Sequence, residues 1–253
     1  MAEPISVILL AMLAAFLVGM SKGGLPAVGA LAVPLMALVM SPILAAALLL
    51  PIFCATDLVG LWLYRRIYSG RNLAILIPAG VIGVGIGWAI AAHVSDSFVG
   101  MLVGLTGIGF CLRVWLAGRK GAVAPRPADL PGGLFWGALT GFTSFVSHSG
   151  APPFQMYVLP QKLEKLVFAG TATITFAVIN AAKIIPYWEL DSFSAVDGKL
   201  ALLILPVGIA GTFAGAKLTR IIPDGLFFRL VQVTLFAISL KLVADALLSM
   251  ARS

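Results

Sequence analysis

The sequence predicts an all-α integral membrane protein, and three observations support that prediction. Hydrophobic residues make up 60% of the 253 residues, whereas charged residues make up only 11%. The mean hydropathy is +1.07. Most Lys and Arg residues lie in short segments between long apolar runs. Soluble domains carry roughly 45–50% apolar and about 25% charged residues, so this composition excludes a soluble globule and a disordered chain.

Six of the apolar runs are long enough to cross a bilayer. A hydrocarbon core of about 30 Å needs roughly 20 helical residues. Lipid offers no hydrogen-bond partner to an exposed backbone group, so each run is expected to be helical. The predicted spans are approximately residues 43 to 64, 72 to 92, 97 to 117, 165 to 188, 199 to 220 and 225 to 249.

Two further apolar stretches, residues 5 to 40 and 132 to 160, are interrupted by small, polar and proline residues. The interruptions run from Ser21 to Pro26 and from Ser147 to Pro153. The arms on either side have about 9 to 17 residues, which is short for a crossing at about 1.5 Å per residue. We therefore expect two helical hairpins that enter the bilayer and return. Tilted arms that cross fully are the alternative.

The chain also shows an internal repeat. An offset of 126 residues, rising to 128 from Gly70 onward, aligns the two interruptions, several prolines and a GxxGxxxG pattern that is typical of close helix packing. The sequence thus predicts a first membrane repeat at 1–118, a basic, proline-containing cytoplasmic linker at 119–130 and a second repeat at 131–253. Each repeat is a broken hairpin followed by three transmembrane helices. The pattern comprises Gly80, Gly83 and Gly87, then Gly208, Gly211 and Gly215.

The distribution of Lys and Arg indicates how the repeats are oriented, because cytoplasmic loops carry an excess of these residues. If each broken stretch crossed once, the repeats would be parallel and the fifteen loop-proximal cations would divide ten to five. If each is a hairpin, the repeats are inverted and the same cations divide twelve to three. The stronger asymmetry favours inverted repeats, with both termini outside.

The first interruption places Lys22 at bilayer depth, where an isolated cation costs about 2.5–3.5 kcal/mol. Its neighbours leave the backbone open for close approach, and Pro26 suits the first turn of a returning helix. If the halves are inverted, the two tips meet near the midplane and form an anion site from Lys22, hydroxyl groups and helix N-termini. The candidate tip residues are Ser21, Lys22, Gly23 and Gly24 in the first hairpin and Ser147, His148, Ser149 and Gly150 in the second.

Other polar residues inside the predicted spans are further candidates. Asp57 and Lys183 are repeat equivalents, and they could neutralise each other as a structural pair. Alternatively Asp57 or His148 could couple an ion or proton to transport. Three more side chains could donate hydrogen bonds to an oxyanion or bond only their own helix. They are Thr171, Thr173 and Asn180.

Alternatives to these site interpretations remain at this stage. Lys22 could extend to an interface, and the interruptions could serve packing alone. No motif indicates an enzyme, a cofactor or a metal site, and Ser147 with His148 lacks an orienting carboxylate. The expected partners are the lipid bilayer, a small anion and a coupling proton or ion, without nucleic acid. The oligomeric state is open, a homodimer being one option.

The residues of the two interruptions carry a family resemblance. The segment GMSKGGLPAVGALAVP at 19–34 recurs in degenerate form as SFVSHSGAPPFQMYVLP at 144–160. Together with the two similar halves, it resembles the sulfite exporter TauE/SafE family over nearly the whole chain. The resemblance implies a bacterial inner-membrane carrier that moves sulfite, sulfonates or related small organic anions, often outward, by alternating access. An anion channel and a non-transporting membrane scaffold are the alternatives.

The inverted topology predicts that Ser69 lies inside and Ala195 outside. Single cysteines at these two positions should therefore react with an impermeant thiol reagent from opposite sides of the membrane. Labelling of whole cells against inverted vesicles measures this directly. Reaction of both positions from the same side would indicate parallel halves and would remove the argument for paired tips.

Overall fold

The computed structural model describes residues 5–29, 31–90, 96–118, 125–147, 149–189 and 196–250. Helices make up nearly all of this described part, which contains no strand, so the predicted all-α class is confirmed. Seven helices are long and apolar enough to cross a membrane. The helices are α1 (Ile5–Lys22), α2 (Pro26–Gly29), α3 (Ala32–Met36), α4 (Pro42–Tyr64), α5 (Gly70–Ile90), α6 (Asp96–Gly118), α7 (Leu130–Ser147), α8 (Ala151–Val158), α9 (Lys165–Glu189), α10 (Gly198–Ile221) and α11 (Asp224–Met250), with a 3-10 helix at Leu159–Gln161.

The six predicted spans correspond to α4, α5, α6, α9, α10 and α11, and every boundary agrees to within two residues. Capping residues explain two of the starts. The Ser41 hydroxyl accepts a hydrogen bond from the Leu44 amide before α4, and the Asp197 carboxylate accepts from the Lys199 amide at the start of α10. Each cap satisfies a backbone donor that the helix itself leaves unpaired.

The first broken stretch has one long arm and one short, interrupted arm. Helix α1 has 18 residues, more than the arm length expected from the sequence, and is among the helices long enough to cross. It continues through Ser21, whose hydroxyl donates to the Val18 carbonyl one turn earlier (2.6 Å). It ends before Gly24, which has φ +113°, a conformation that favours glycine. The return begins at Pro26, as expected, but α2 has only four residues.

The helices form two compact units, and each unit combines segments from both predicted repeats. One unit comprises Met1–Ser69 with Lys165–Asp224, and the other comprises Gly70–Glu164 with Gly225–Ser253. In the first unit α1 packs along α10, and in the second α7 packs along α5. The predicted division at 1–118, 119–130 and 131–253 describes sequence similarity and stays a prediction. Residues 119–124 of its linker lie outside the described residues.

The GxxGxxxG patterns lie at these two helix pairs, where the predicted close packing is present. A Cβ atom at Gly83 would overlap the Ala138 carbonyl of α7. A Cβ atom at Gly211 would overlap the Phe16 carbonyl of α1. In both units the glycines let two helix backbones touch, which larger side chains would prevent.

Glycines on α5 provide a matched test of this packing. Gly83→Ala should reduce the stability of the detergent-purified protein by about 1–3 kcal/mol, because the added methyl group has no space against α7. Gly85→Ala, two residues along the same helix, should be neutral or slightly stabilising, since nothing lies within 4 Å of its Cβ position. Thermal unfolding of the two variants measures the difference. Equal loss in both would contradict the close contact between α5 and α7.

Candidate functional site

A buried charged cluster lies in the first unit, where α1, α4 and α9 meet. Lys22 Nζ lies 2.8 Å from Asp57 Oδ1, and the two side chains are only 5% and 4% exposed. Asn180 Nδ2 donates a hydrogen bond of 2.8 Å to the other carboxylate oxygen, Oδ2. The carboxylate of Asp57 is therefore held between a cation from α1 and an amide from α9.

Helical periodicity brings the contributing side chains to one face of each helix. Phe53, Asp57 and Gly60 recur at three- or four-residue intervals along α4, so they share a face. Thr173 and Asn180 are seven residues apart along α9 and share a face in the same way. At Gly60, α4 lies close to both the end of α1 and α9, because a Cβ atom there would lie 3.0 Å from the Lys22 carbonyl and 2.7 Å from Thr173 Cγ2.

Aromatic rings flank the Lys22 ammonium. The nitrogen lies 5.1 Å from the centroid of Phe53 and 5.9 Å from that of Phe176, within the range of cation–π attraction. Lys22 as a whole is only 4% exposed. This burial disagrees with the alternative in which Lys22 extends its charge to an interface.

Lys183 adds a third buried charge to the cluster, since the residue is only 1% exposed and lies on α9, one turn beyond Asn180. Ion pairs within 4 Å in the described part of the chain include Lys22–Asp57, Lys165–Asp224 and Lys241–Asp245. One alternative from the sequence was that Asp57 and Lys183 neutralise each other, whereas the ion pair within 4 Å that Asp57 makes in the structure is with Lys22. The repeat alignment relates equivalent positions and contains no information about which side chains meet in space.

The backbone of the first tip is fixed by hydroxyl groups from α4, α9 and α10. The Gly23 carbonyl accepts hydrogen bonds from the Tyr64 hydroxyl (2.7 Å) and from Thr219 (3.2 Å). The Lys22 carbonyl accepts from Thr173 (3.2 Å). These bonds hold the end of α1 and thereby position the Lys22 side chain. Sequence analysis missed Tyr64 and Thr219, although Tyr64 lies seven residues beyond Asp57 on the same helical face.

Two of the predicted polar candidates bond to backbone groups outside the cluster. Thr171 donates to the Val167 carbonyl of its own helix (2.6 Å) and accepts from the Ser69 amide (2.9 Å). Ser21 donates to its own helix as described above. The short α2 also weakens the expected role of a helix N-terminus at this tip, because one turn sums few peptide dipoles.

The second tip lies in the second unit. Ser149 and Gly150 are buried there, and the Ser149 amide donates to the Thr143 carbonyl (3.1 Å). The Ser147 side chain and His148 lie outside the described residues. Because each tip belongs to a different compact unit, the meeting of the two tips stays a prediction.

Gln155 on α8, which was not among the residues predicted from the sequence, is 0% exposed and has no hydrogen-bond partner for its amide among the described residues.

The arrangement of charges predicts an unequal response to substitution. With all three groups ionised, Lys22, Lys183 and Asp57 carry one net positive charge. Asp57→Asn leaves two buried cations without a carboxylate, whereas Lys22→Met leaves Asp57 beside Lys183 in a balanced pair. We expect Asp57→Asn to cost about 3–5 kcal/mol of stability, the range for breaking a buried ion pair, and Lys22→Met to cost less.

Denaturant unfolding of the purified protein, without added anions, measures this order. Asp245→Asn is the matched control, because its pair with Lys241 is exposed on α11 and such pairs contribute only about 0.3–0.5 kcal/mol. A larger loss for Lys22→Met than for Asp57→Asn would show that Lys183 does not act on the Asp57 carboxylate.

The part of the chain that contains this buried site matches a known protein family. The family model described as Sulfite exporter TauE/SafE matches residues 11–242, which contain both hairpin tips, the charged cluster and the two glycine-packed helix pairs. No curated protein and no solved structure matched the chain. The match extends over nearly the whole chain and agrees with the resemblance of the tip sequences, so the chain belongs to the sulfite exporter TauE/SafE family of membrane transporter proteins.

Proposed function

We propose that this protein is a secondary transporter of small anions, and that it binds its substrate at the cluster of Lys22, Asp57, Asn180 and Lys183. The observation that carries the proposal is that two buried lysines share one buried carboxylate. Lys22, Lys183 and Asp57 are each no more than 4% exposed. With both lysines ionised the cluster has a net positive charge, which is costly unless a counter-ion joins it. An anionic substrate supplies that counter-ion.

The surrounding groups support recognition of an oxyanion. The Asn180 amide and the Lys22 ammonium present hydrogen-bond donors from two different helices, and Lys183 adds a second ammonium group one turn from Asn180. A hydrogen bond in which the donor or the acceptor is ionised is stronger than a hydrogen bond between two neutral groups. The family implies sulfite, a sulfonate or a related sulfur-containing organic anion as the substrate, moved outward across the bacterial inner membrane.

Alternating access between inverted repeats is the proposed mode of transport. Transporters of this kind bind substrates near the bilayer midplane, where discontinuous helices of the two repeats meet. The repeat aligns α1 with α7 and α5 with α10. Helix α1 packs along α10, and α7 packs along α5 in the same way, which supports the repeat. The sequence repeat adds the second tip, Ser147, His148, Ser149 and Gly150, as a further candidate binding segment in this proposal.

Counterflow in proteoliposomes tests the proposal. Labelled sulfite and a short sulfonate should exchange saturably in the wild type at fixed pH. Lys22→Ala should weaken binding roughly 10–150-fold, because a hydrogen bond to a charged group contributes about 1.5–3 kcal/mol. Lys241→Ala, which removes an exposed lysine from α11, should transport as the wild type does.

Other outcomes would separate the competing functions. Flux without saturable counterflow would indicate an anion channel. Unchanged anion affinity in a folded, inserted Lys22→Ala variant would remove Lys22 from the site. If neither anion binds or exchanges although the protein is folded and inserted, the substrate class is wrong and a scaffold becomes the better explanation.

A further inference from the structure

We propose that Asp57 is a built-in counter-anion for Lys22, which must take up a proton before the substrate anion can bind, so that one anion and one proton cross together. This inference rests on the proposed function, because it concerns the same site. It adds the identity of the coupled ion, the residue that carries it and the order of charge replacement.

Asp57 already occupies the position that an anion would take beside Lys22. Its Oδ1 lies 2.8 Å from Lys22 Nζ inside the protein. A substrate anion that pairs with the same ammonium brings a second negative charge within a few ångströms of the carboxylate. Like charges at that distance strongly disfavour each other in a low-dielectric interior, and protonation of the carboxyl group relieves the repulsion.

The two carboxylate oxygens of Asp57 have different neighbours, and Oδ1 is the one that receives the proton. Oδ1 faces the Lys22 ammonium at 2.8 Å, so it loses its partner when a substrate anion takes over that ammonium. Oδ2, in contrast, accepts from Asn180. A proton can therefore bind Oδ1 while Asn180 keeps the carboxyl group in place. The neutral acid then has an O–H donor on the side of Lys22, where the substrate anion binds.

Among the described residues around Asp57 there is no second carboxylate that could compete for the proton. Helix α4 packs against α1, α3, α9 and α10. Helix α3 has no titratable side chain, and the basic side chains of α10, Lys199, Lys217 and Arg220, are exposed. The titratable groups that interact electrostatically with Asp57 are Lys22 of α1, Lys183 of α9 and Cys54, which lies on α4 itself.

The charge balance then fixes the linkage. With both lysines ionised, binding of a proton to Asp57 changes the net charge of the cluster from +1 to +2, and binding of a monovalent anion returns it to +1. Proton and anion each raise the affinity for the other by the same factor, because binding equilibria at linked sites are reciprocal. A monovalent anion that crosses with one proton moves no net charge, so its flux depends on the anion gradient and the pH gradient and not on the membrane voltage. Outward movement then follows the concentration gradient of the anion.

Equilibrium binding of methanesulfonate to the purified full-length protein tests this linkage, because that anion keeps a single charge across the pH range. A series of pH values on both sides of neutrality should show the wild-type Kd rising with pH, by up to about tenfold per pH unit for one linked proton. A pH-sensitive dye in weakly buffered solution should report uptake of about one proton per bound anion. Asp57→Asn should bind without pH dependence and without proton uptake.

Asp245→Asn, an identical substitution at an exposed position, should keep the wild-type slope. Wild-type binding that is independent of pH and takes up no proton would overturn the coupling and leave the proposed function intact. A slope that persists in Asp57→Asn would overturn the assignment to Asp57. If that variant does not fold, wild-type proton uptake decides whether a proton is coupled, and Lys183→Met decides which group carries it. A slope and uptake that persist in Lys183→Met support Asp57, whereas their loss would overturn the assignment. Absence of binding to the wild type, for methanesulfonate and sulfite alike, would overturn the proposed function and this inference with it.

Discussion

A salt bridge between Lys22 and Asp57 lies inside the protein, and much of the first unit is arranged to make that burial tolerable. Removing two charges from water costs more than their attraction returns unless further hydrogen bonds support them. Asn180 provides one such bond from α9. The aromatic ring of Phe53 provides a favourable neighbour for the ammonium. The ion pair and the hydrogen bond that join α1, α4 and α9 are therefore arranged around one lysine, Lys22, at the end of α1.

That position depends in turn on glycines. Gly23 and Gly60 lack side chains where α1 meets α10 and α4, and a Cβ atom at either would meet backbone atoms of the neighbouring segment. Because these two glycines have no side chains, the segments approach closely, and the Gly23 carbonyl lies within hydrogen-bond distance of the Tyr64 and Thr219 hydroxyls. Close backbone packing and the buried ion pair are therefore parts of one arrangement, because the packing excludes lipid from the charges and the hydroxyl groups fix the tip.

The sequence predicted the long helices well because their signals are local. Apolar runs of about 20 residues leave little choice of structure in a bilayer, and Ser41 and Asp197 mark helix starts. Long-range pairings were less accessible. Asp57 pairs with Lys22 although its repeat equivalent is Lys183, and neither hydropathy nor spacing encodes that choice. Tyr64, Thr219 and Gln155 were missed for the same reason, since each resembles an ordinary residue in an apolar helix.

The partnership of α1 with α10 has a consequence for how the protein is made. The last residue of α1, Lys22, leaves the ribosome about 180 residues before α10 begins to appear at Gly198. At synthesis rates of about 5–20 residues per second, α1 waits on the order of 10–40 seconds for its partner. During that interval its glycine face and its lysine have no α10 beside them. Packing of α1 against α10, and with it the hydrogen bond from Thr219 that helps to hold the tip beside Lys22, is therefore a late event, completed only when most of the chain is already in the membrane.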